Sequence, residues 1–543
     1  MSRHLTFTAC AVLLGIVVLP AGPRIAAAEP KQSKLIASSR RKPAKPYRFI
    51  YNRDGCSSYG RFDGDAEKWV EYEFHRLDNS PVDLLAWCFD GGNTAEYDSD
   101  ILEHPGDADR AAGYALPNKN SNGVSFPRAH KALTTMIREG NDPPKVIIKA
   151  ARNRGIDIFV SYRLNDIHDS KGTFDKPAFP IPEFAAFKRK HPEWLLGDMT
   201  YRTKYGNYNI HSGWSGVRFS VPEVRELKLA IIKEYFDKYD FDGLELDFTT
   251  HTPYFLPNQG YRLQYVMTDF VRTVRKVLDE RAKQRGRRIV VAAHVFESPQ
   301  ENALYGFDIP RWVNEGLVDI LTIGRGNHLI DIEAFQRIVK DSPVRIYACV
   351  YRPDAGYDVA RGWASGHWQQ KVDGIYTFNW GYSDPEGQAA TIKQIGNPEI
   401  LRHQDKTFRV EPGMRNPVSW KLHGMMFNML PIELLAMHSG TPLVIPLRIG
   451  DDLPAQAAVI NGLKFQMRLK NATKEDSIEV KVNGTVLSNG KFDGKTDLIY
   501  SPRPSIFRPG QNNIALRLVR RDPVASSAKP LIMETIQLHV DYR

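Results

Sequence analysis

Eight short apolar runs, most of them followed by a segment with helical periodicity, do most to limit what this chain can fold into. They are 47–53 (YRFIYNR), 82–89 (VDLLAWCF), 156–164 (IDIFVSYRL), 241–248 (FDGLELDF), 288–296 (RIVVAAHVF), 318–324 (VDILTIG), 344–351 (VRIYACVY) and 372–380 (VDGIYTFNW). Near-continuous apolar strands that alternate with amphipathic helices belong to a parallel sheet covered by helices. Eight such units over 47–440 predict an α/β fold, a (β/α)8 TIM barrel rather than an open sheet. The clearest helix is 222–239. Ser220 and Glu223 read as a capping box, and Pro222 suits the first turn. Val224, Leu227, Ile231, Ile232, Tyr235 and Phe236 fall on one stripe.

Beyond about residue 440 the texture changes to short alternating strands: 443–449, 463–469, 477–483, 496–500, 513–519 and 534–541. Asn483-Gly484, Asn489-Gly490 and Pro509-Gly510 mark turns between them. Residues 441–543 therefore predict an all-β sandwich or jelly roll.

The N-terminus is of another kind. Leu5 to Leu19 is an apolar run too short to span a bilayer comfortably, and Ala26-Ala27-Ala28 supplies a cleavage site. Residues 1–28 read as a signal peptide cut after Ala28, so a secreted or periplasmic protein with no integral membrane segment is expected. Residues 29–46 (EPKQSKLIASSRRKPAKP) read as a basic flexible linker. The net charge of +10 resides mostly here: the leader carries +2 and residues 29–48 carry +6. With a nearly neutral body and no basic-aromatic stripe, nucleic acid is not an expected partner. Four cysteines exclude a disulfide scaffold, and the lack of a CxxC argues against a thiolate zinc site, although Cys56 and Cys88 could pair.

In a barrel of this class the site lies at the C-terminal ends of the strands. On the fourth strand, Leu244, Leu246 and Phe248 share one face and Glu245 and Asp247 the other, pointing inward. Two buried carboxylates need a reason. One is acid/base work, with Asp247 nearer the rim and Glu245 a layer deeper; another is a structural salt bridge, for example to Arg163. On the third strand Ser161, Arg163 and Asn165 share a face, and Asp166, His168 and Asp169 follow. Asn165 and His168 suit hydroxyl binding; Asp166, His168 and Asp169 also admit a metal reading. The fifth strand places His294 inward and Glu297 in its loop. His251 and Tyr254 follow the fourth strand. The eighth ends at Asn379 and Trp380, a rim platform for a sugar or a core residue on the helix side. Tyr351, Arg352, Asp90, Asp54 and Arg325 are further rim candidates. Glycoside hydrolysis needs two acids across a cleft. Asp247 is the first; Glu297, Asp166 and Glu245 compete for the second.

Three segments together, His191-Pro192-Glu193-Trp194, Phe219-Ser220-x-Pro222-Glu223-Val224-Arg225 and Tyr239 to Phe248, resemble glycoside-hydrolase-like barrels. The nearest is the glycosyl hydrolase-like 10 family of bacterial secreted proteins. The resemblance covers about 156–250 and implies a TIM barrel, export and a carbohydrate role. It carries the catalytic role to Asp247, whereas Glu245 stands where such proteins often have a neutral residue or His.

The leading expectation is a secreted glycoside hydrolase acting on a poly- or oligosaccharide, with no cofactor or metal. A non-catalytic carbohydrate-binding barrel is the first alternative. A metal-dependent hydrolase using Asp166, His168 and His294 is the second. A serine esterase is disfavoured for want of a Gly-x-Ser-x-Gly elbow.

Overall fold

The computed structural model describes residues 42–543 apart from 56, 91–92, 119–123, 204–205, 211–212, 257, 326–328, 352–355, 379, 381–383, 412–428, 435–440, 494–495 and 527–528. The leader, most of the basic linker, Cys56, Arg352 and Asn379 lie outside them.

The eight expected strands form a closed parallel barrel. They are β1 (Phe49–Arg53), β2 (Leu84–Trp87), β3 (Asp157–Arg163), β4 (Gly243–Asp247), β5 (Val290–Val295), β6 (Ile320–Ile323), β7 (Arg345–Tyr351) and β8 (Gly374–Phe378), with β8 pairing back to β1. The main helices that follow them are α1 (Ala66–Phe74), α2 (Pro143–Arg152), α3 (Pro222–Lys238), α4 (Gln264–Arg285), α5 (Ile309–Asn314), α6 (Ile332–Val339), α7 (Tyr357–Gln369) and α8 (Pro385–Ile395). Strand alternation sends Leu244, Leu246, Val291, Ala293, Ile346 and Val350 into the layer beneath the helices. Ile50, Phe159, Ala292, Tyr347, Tyr376 and Phe378 fill the barrel interior.

One close approach fixes the interior. Gly243 faces inward on β4, and a Cβ there would come within 2.6 Å of the Phe159 ring and of Val290 O. Phe159 occupies the volume that any other residue at 243 would need.

α3 begins at Pro222 with Val221 as its N-cap, and no side chain caps it. The expected Ser220 capping box is therefore not formed. Pro222 at the first helical position brings its preset φ and needs no N–H partner, so the helix starts one residue later than the box requires. The apolar stripe is as expected except that Leu227 is half-buried, and Lys228 and Glu234 share the buried side.

The basic linker also ends earlier than expected. Lys42 O and Pro43 O accept from Arg288, Ala44 O accepts from Arg345 Nε at 2.9 Å, and Ala44 is buried at the barrel floor.

C-terminal to the barrel are two antiparallel sheets over one apolar core. The first runs β9 (Lys406–Val410), β15 (Ile532–Tyr542), β11 (Ile460–Lys470), β13 (Asp497–Tyr500) and the short strand Lys491–Asp493. The second runs β10 (Leu443–Ile449), β14 (Gly510–Arg520), β12 (Ser477–Val482) and the short strand Thr485–Val486. β9 precedes the expected boundary at 440 yet pairs with β15 from Lys406↔Val540 to Val410↔Ile536. Among the described residues no helix is long and apolar enough to cross a membrane.

Gly243→Ala should destabilise the protein by roughly 1–3 kcal/mol, because the added methyl overpacks a rigid aromatic contact. Chemical denaturation of the variant against the parent measures it.

Candidate active site at the barrel mouth

The mouth is built from the ends of β3, β4 and β5, whose register sets Arg163, Asp247 and His294 side by side. Both inward carboxylates of β4 are buried, as expected from strand alternation. Glu245 Oε1 accepts from Asn52 Nδ2 at 2.7 Å, Ser161 Oγ at 2.7 Å and Tyr376 Oη at 3.1 Å, which ties β1, β3 and β8 to β4. Burial raises the Glu245 carboxyl, helped by the charge of Asp247 and opposed by His294, Ser161 and Asn52.

Asp247 is fully buried. Its Oδ1 accepts from Thr249 N at 2.8 Å, Thr249 Oγ1 at 2.9 Å and Thr250 N at 3.1 Å, and its Oδ2 accepts from Thr250 Oγ1. Such a turn, closed by an aspartate on the following amides, fixes the loop. Burial pushes Asp247 up, but His294, Arg325 and Thr250 outweigh it and hold the carboxyl well below the usual range. His294 Nε2 lies 2.8 Å from Gly324 O, which can only accept, so Nε2 carries a proton. Nδ1 then faces Asp247 Oδ1 at 3.4 Å.

Arg325, after β6, joins this cluster to Glu297. Its backbone N donates to Glu297 Oε1 at 2.9 Å, and its Nη1 lies 3.4 Å from the hydroxyls of both Thr249 and Thr250. Its guanidinium sits 4.4 Å from the Phe378 ring centroid and 5.8 Å from that of Tyr351. Glu301 is also buried, in the first turn of the short helix Pro299–Tyr305. Burial, then the charge of Glu297, pushes its carboxyl up to about 9.

A second cluster stands over β3 and β4. His168 is exposed and donates from its backbone N to Asp166 Oδ1 at 2.8 Å; its Nδ1 lies 2.8 Å from the same oxygen. The Asp166 charge raises the His168 imidazole. His251, buried, packs edge-on against His168 with centroids 4.6 Å apart. Burial, and next the neighbouring His168, hold its imidazole well below the ordinary value.

Several expectations change. Arg163, expected to neutralise Glu245 or Asp247, pairs with Asp54 in the loop after β1 and lies 3.5 Å from Asp166. Asn165 binds no free cleft, since its amide joins Pro253 O at 3.0 Å and Val217 N at 2.9 Å. Asp169 leaves the Asp166–His168 group for Lys188, whose Nζ lies 2.6 Å away, and for Ser215. Burial lifts Asp169 to about 6 despite that lysine. Trp380 is not a rim platform: it is 1% exposed, and its Nε1 donates to Val350 O at 2.9 Å, because β8 has ended at Phe378. Tyr254 lies among Phe219, Phe248 and Phe307. Asp90 accepts from Tyr235 Oη at 2.6 Å. Tyr351 stacks on Phe378 in the barrel interior.

Asn52, Tyr376, Thr249, Thr250 and Glu301 join the site beyond the residues expected from the sequence. The Asp-x-Thr-Thr spacing after β4 and the Ser298-x-x-Glu301 spacing were legible signals. Asn52 and Tyr376 depend on register across the closure of the barrel.

No family model matches the chain, and no curated protein matches it. Solved structures do align with it. The PgaB (BpsB) glycoside hydrolase domain from Bordetella bronchiseptica aligns at 11% identity and TM-score 0.41, over 65% of this chain and 99% of that one. The noncanonic maltogenic alpha-amylase AmyB from Thermotoga neapolitana aligns at 10% and 0.33, over 88% and 100%. A cycloisomaltooligosaccharide glucanotransferase from Paenibacillus sp. aligns at 8% and 0.32, over 91% of this chain; the match spans 58% of its length.

Trp380→Ala should cost about 3–5 kcal/mol of stability, as truncation of a core aromatic does, measured by denaturant unfolding. Glu301 predicts a pH signature. Its folded-state value lies above the ordinary one, so at pH 4.5–9 the folded chain holds a proton that the unfolded chain has lost. Stability from this group is full below about pH 4.5 and is lost as pH rises toward about 9. Glu301→Gln should flatten that decline, seen in melting temperatures recorded across the interval.

Proposed function

We propose that the protein is an exported glycoside hydrolase that cleaves glycosidic bonds of a poly- or oligosaccharide. The observation that carries the reading is a set of buried carboxyls, Asp247, Glu297 and Glu301, at and after the C-terminal ends of β4 and β5. Asp247 is held ionised by His294, Arg325 and Thr250, whereas Glu301, beside Glu297, keeps its proton to about pH 9. Glycoside hydrolysis passes through a cationic, oxocarbenium-like sugar ring and a leaving oxygen that must be protonated. A fixed anion supports the first need, and a buried carboxyl that retains its proton supports the second. In this reading Asp247 stabilises the developing positive charge and Glu297 works on the leaving group or water. The apolar leader and Ala-x-Ala site support export.

A carbohydrate-binding barrel without turnover is the second reading. Its support is the saturation of Asp247, whose two oxygens already accept from Thr249 and Thr250.

The test is release of reducing ends from a panel of poly- and oligosaccharides by the mature chain, Asp247→Asn and Glu297→Gln. Hydrolysis by the parent should fall by about 10²–10⁴ in each variant, the usual worth of a positioned acid or base. Binding without cleavage by all three proteins would establish the second reading instead.

A further inference from the structure

We propose that Asp166, His168 and His251 form a binding site for a divalent transition-metal cation at the barrel mouth, on the β3 side of the Asp247 cluster. One donor atom from each residue lies within 4.8 Å of the others. Asp166 and His168 come from the loop after β3 and His251 from the loop after β4, two strands joined by the Arg163↔Asp247 register. Adjacent parallel strands thus bring the donors together although they lie far apart in sequence.

Three further observations point to a cation. Asp166 is buried, yet its Oδ2 accepts no hydrogen bond. Arg163, 3.5 Å from that oxygen, is itself paired with Asp54, so its charge is shared between two carboxylates. The third is the orientation of His251. Its Nδ1 lies 3.9 Å from Asp166 Oδ1, and the long contact it takes from Ile167 N, at 3.4 Å, uses the lone pair that an ion would take instead. With metal–nitrogen and metal–oxygen bonds of about 2.0–2.2 Å, a separation of 3.9 Å admits one ion in contact with both.

Two imidazoles and one carboxylate suit zinc, manganese or ferrous iron better than magnesium or calcium, which prefer all-oxygen sets. Three protein donors leave coordination positions for water or for neighbouring hydroxyls of a sugar. The exposed His168 keeps the group reachable from solvent. His294, expected beside Asp166 and His168, is instead engaged with Asp247 and Gly324, and His251 takes its place.

The experiment is titration calorimetry of the chelator-treated, dialysed chain with zinc chloride and with manganese chloride. One equivalent of at least one ion should bind with a dissociation constant in the micromolar range or below. His168→Ala, an exposed substitution that should leave the fold intact, and His251→Ala should each weaken binding at least tenfold, with unchanged far-ultraviolet circular dichroism. His294→Gln should not change it. The proposal is overturned by the absence of saturable one-equivalent binding, by binding that survives both substitutions, or by binding that is lost with His294 instead. Because the readout is heat of metal binding, it stands or falls apart from glycoside turnover.

Discussion

Two carboxylates stacked on the inner face of β4, Glu245 and Asp247, set the terms for everything around them. An inward-facing carboxylate in a closed barrel has no water to solvate it, so each needs partners from neighbouring strands or loops. Glu245 finds them across the interior in Asn52, Ser161 and Tyr376. Asp247, one step nearer the mouth, takes the amides and hydroxyls of Thr249 and Thr250 and faces His294. The same alternation that makes β4 a good outer-wall strand thus imposes polar residues on β1, β3, β5 and β8.

The mouth inherits its layout from this arrangement. Pinning the β4 loop through Asp247 places Thr249 and Thr250 against Arg325, and Arg325 hands its backbone N to Glu297. Loops after β4, β5 and β6 are therefore one hydrogen-bonded unit. Above β3 a second unit forms, in which the buried Lys188–Asp169–Ser215 contacts anchor the loop and leave Asp166 and His168 facing His251. Burial of Asp169 and Lys188 as a pair is tolerable because each satisfies the other; separating them would strand a charge.

The C-terminal sandwich meets the barrel through α7. Gly362 packs against the backbone of Thr407 and Gly450 against that of Ser365, where a side chain would collide. Ser365 Oγ donates to Asp451 Oδ1 at 2.6 Å, and Lys406 Nζ lies 2.7 Å from Asp451 Oδ2. Lys406 also donates to Leu401 O at 2.7 Å, so β9 is tied at once to the end of the barrel and to the sandwich. This bridging explains why the sandwich begins before residue 440.

Much of the architecture was legible in the sequence. All eight barrel strands, the amphipathic stripe of α3, the inward direction of Glu245, Asp247 and His294, and the β-rich C-terminus follow from local periodicity, which depends only on neighbours in the chain. What periodicity leaves open is which end of a strand a residue reaches and what faces it across the barrel. Trp380 read equally as rim or core, and only the end of β8 at Phe378 settled it. Arg163 read as a partner of Glu245, yet it pairs with Asp54 because loops, not strands, bring that carboxylate near. His251, Asn52 and Tyr376 gained their places through register and closure. The sequence by itself determined the barrel and the face on which its charges lie, since alternation is a local property. Tertiary structure alone decided their partners, since contacts between residues remote along the chain arise only when the sheet closes.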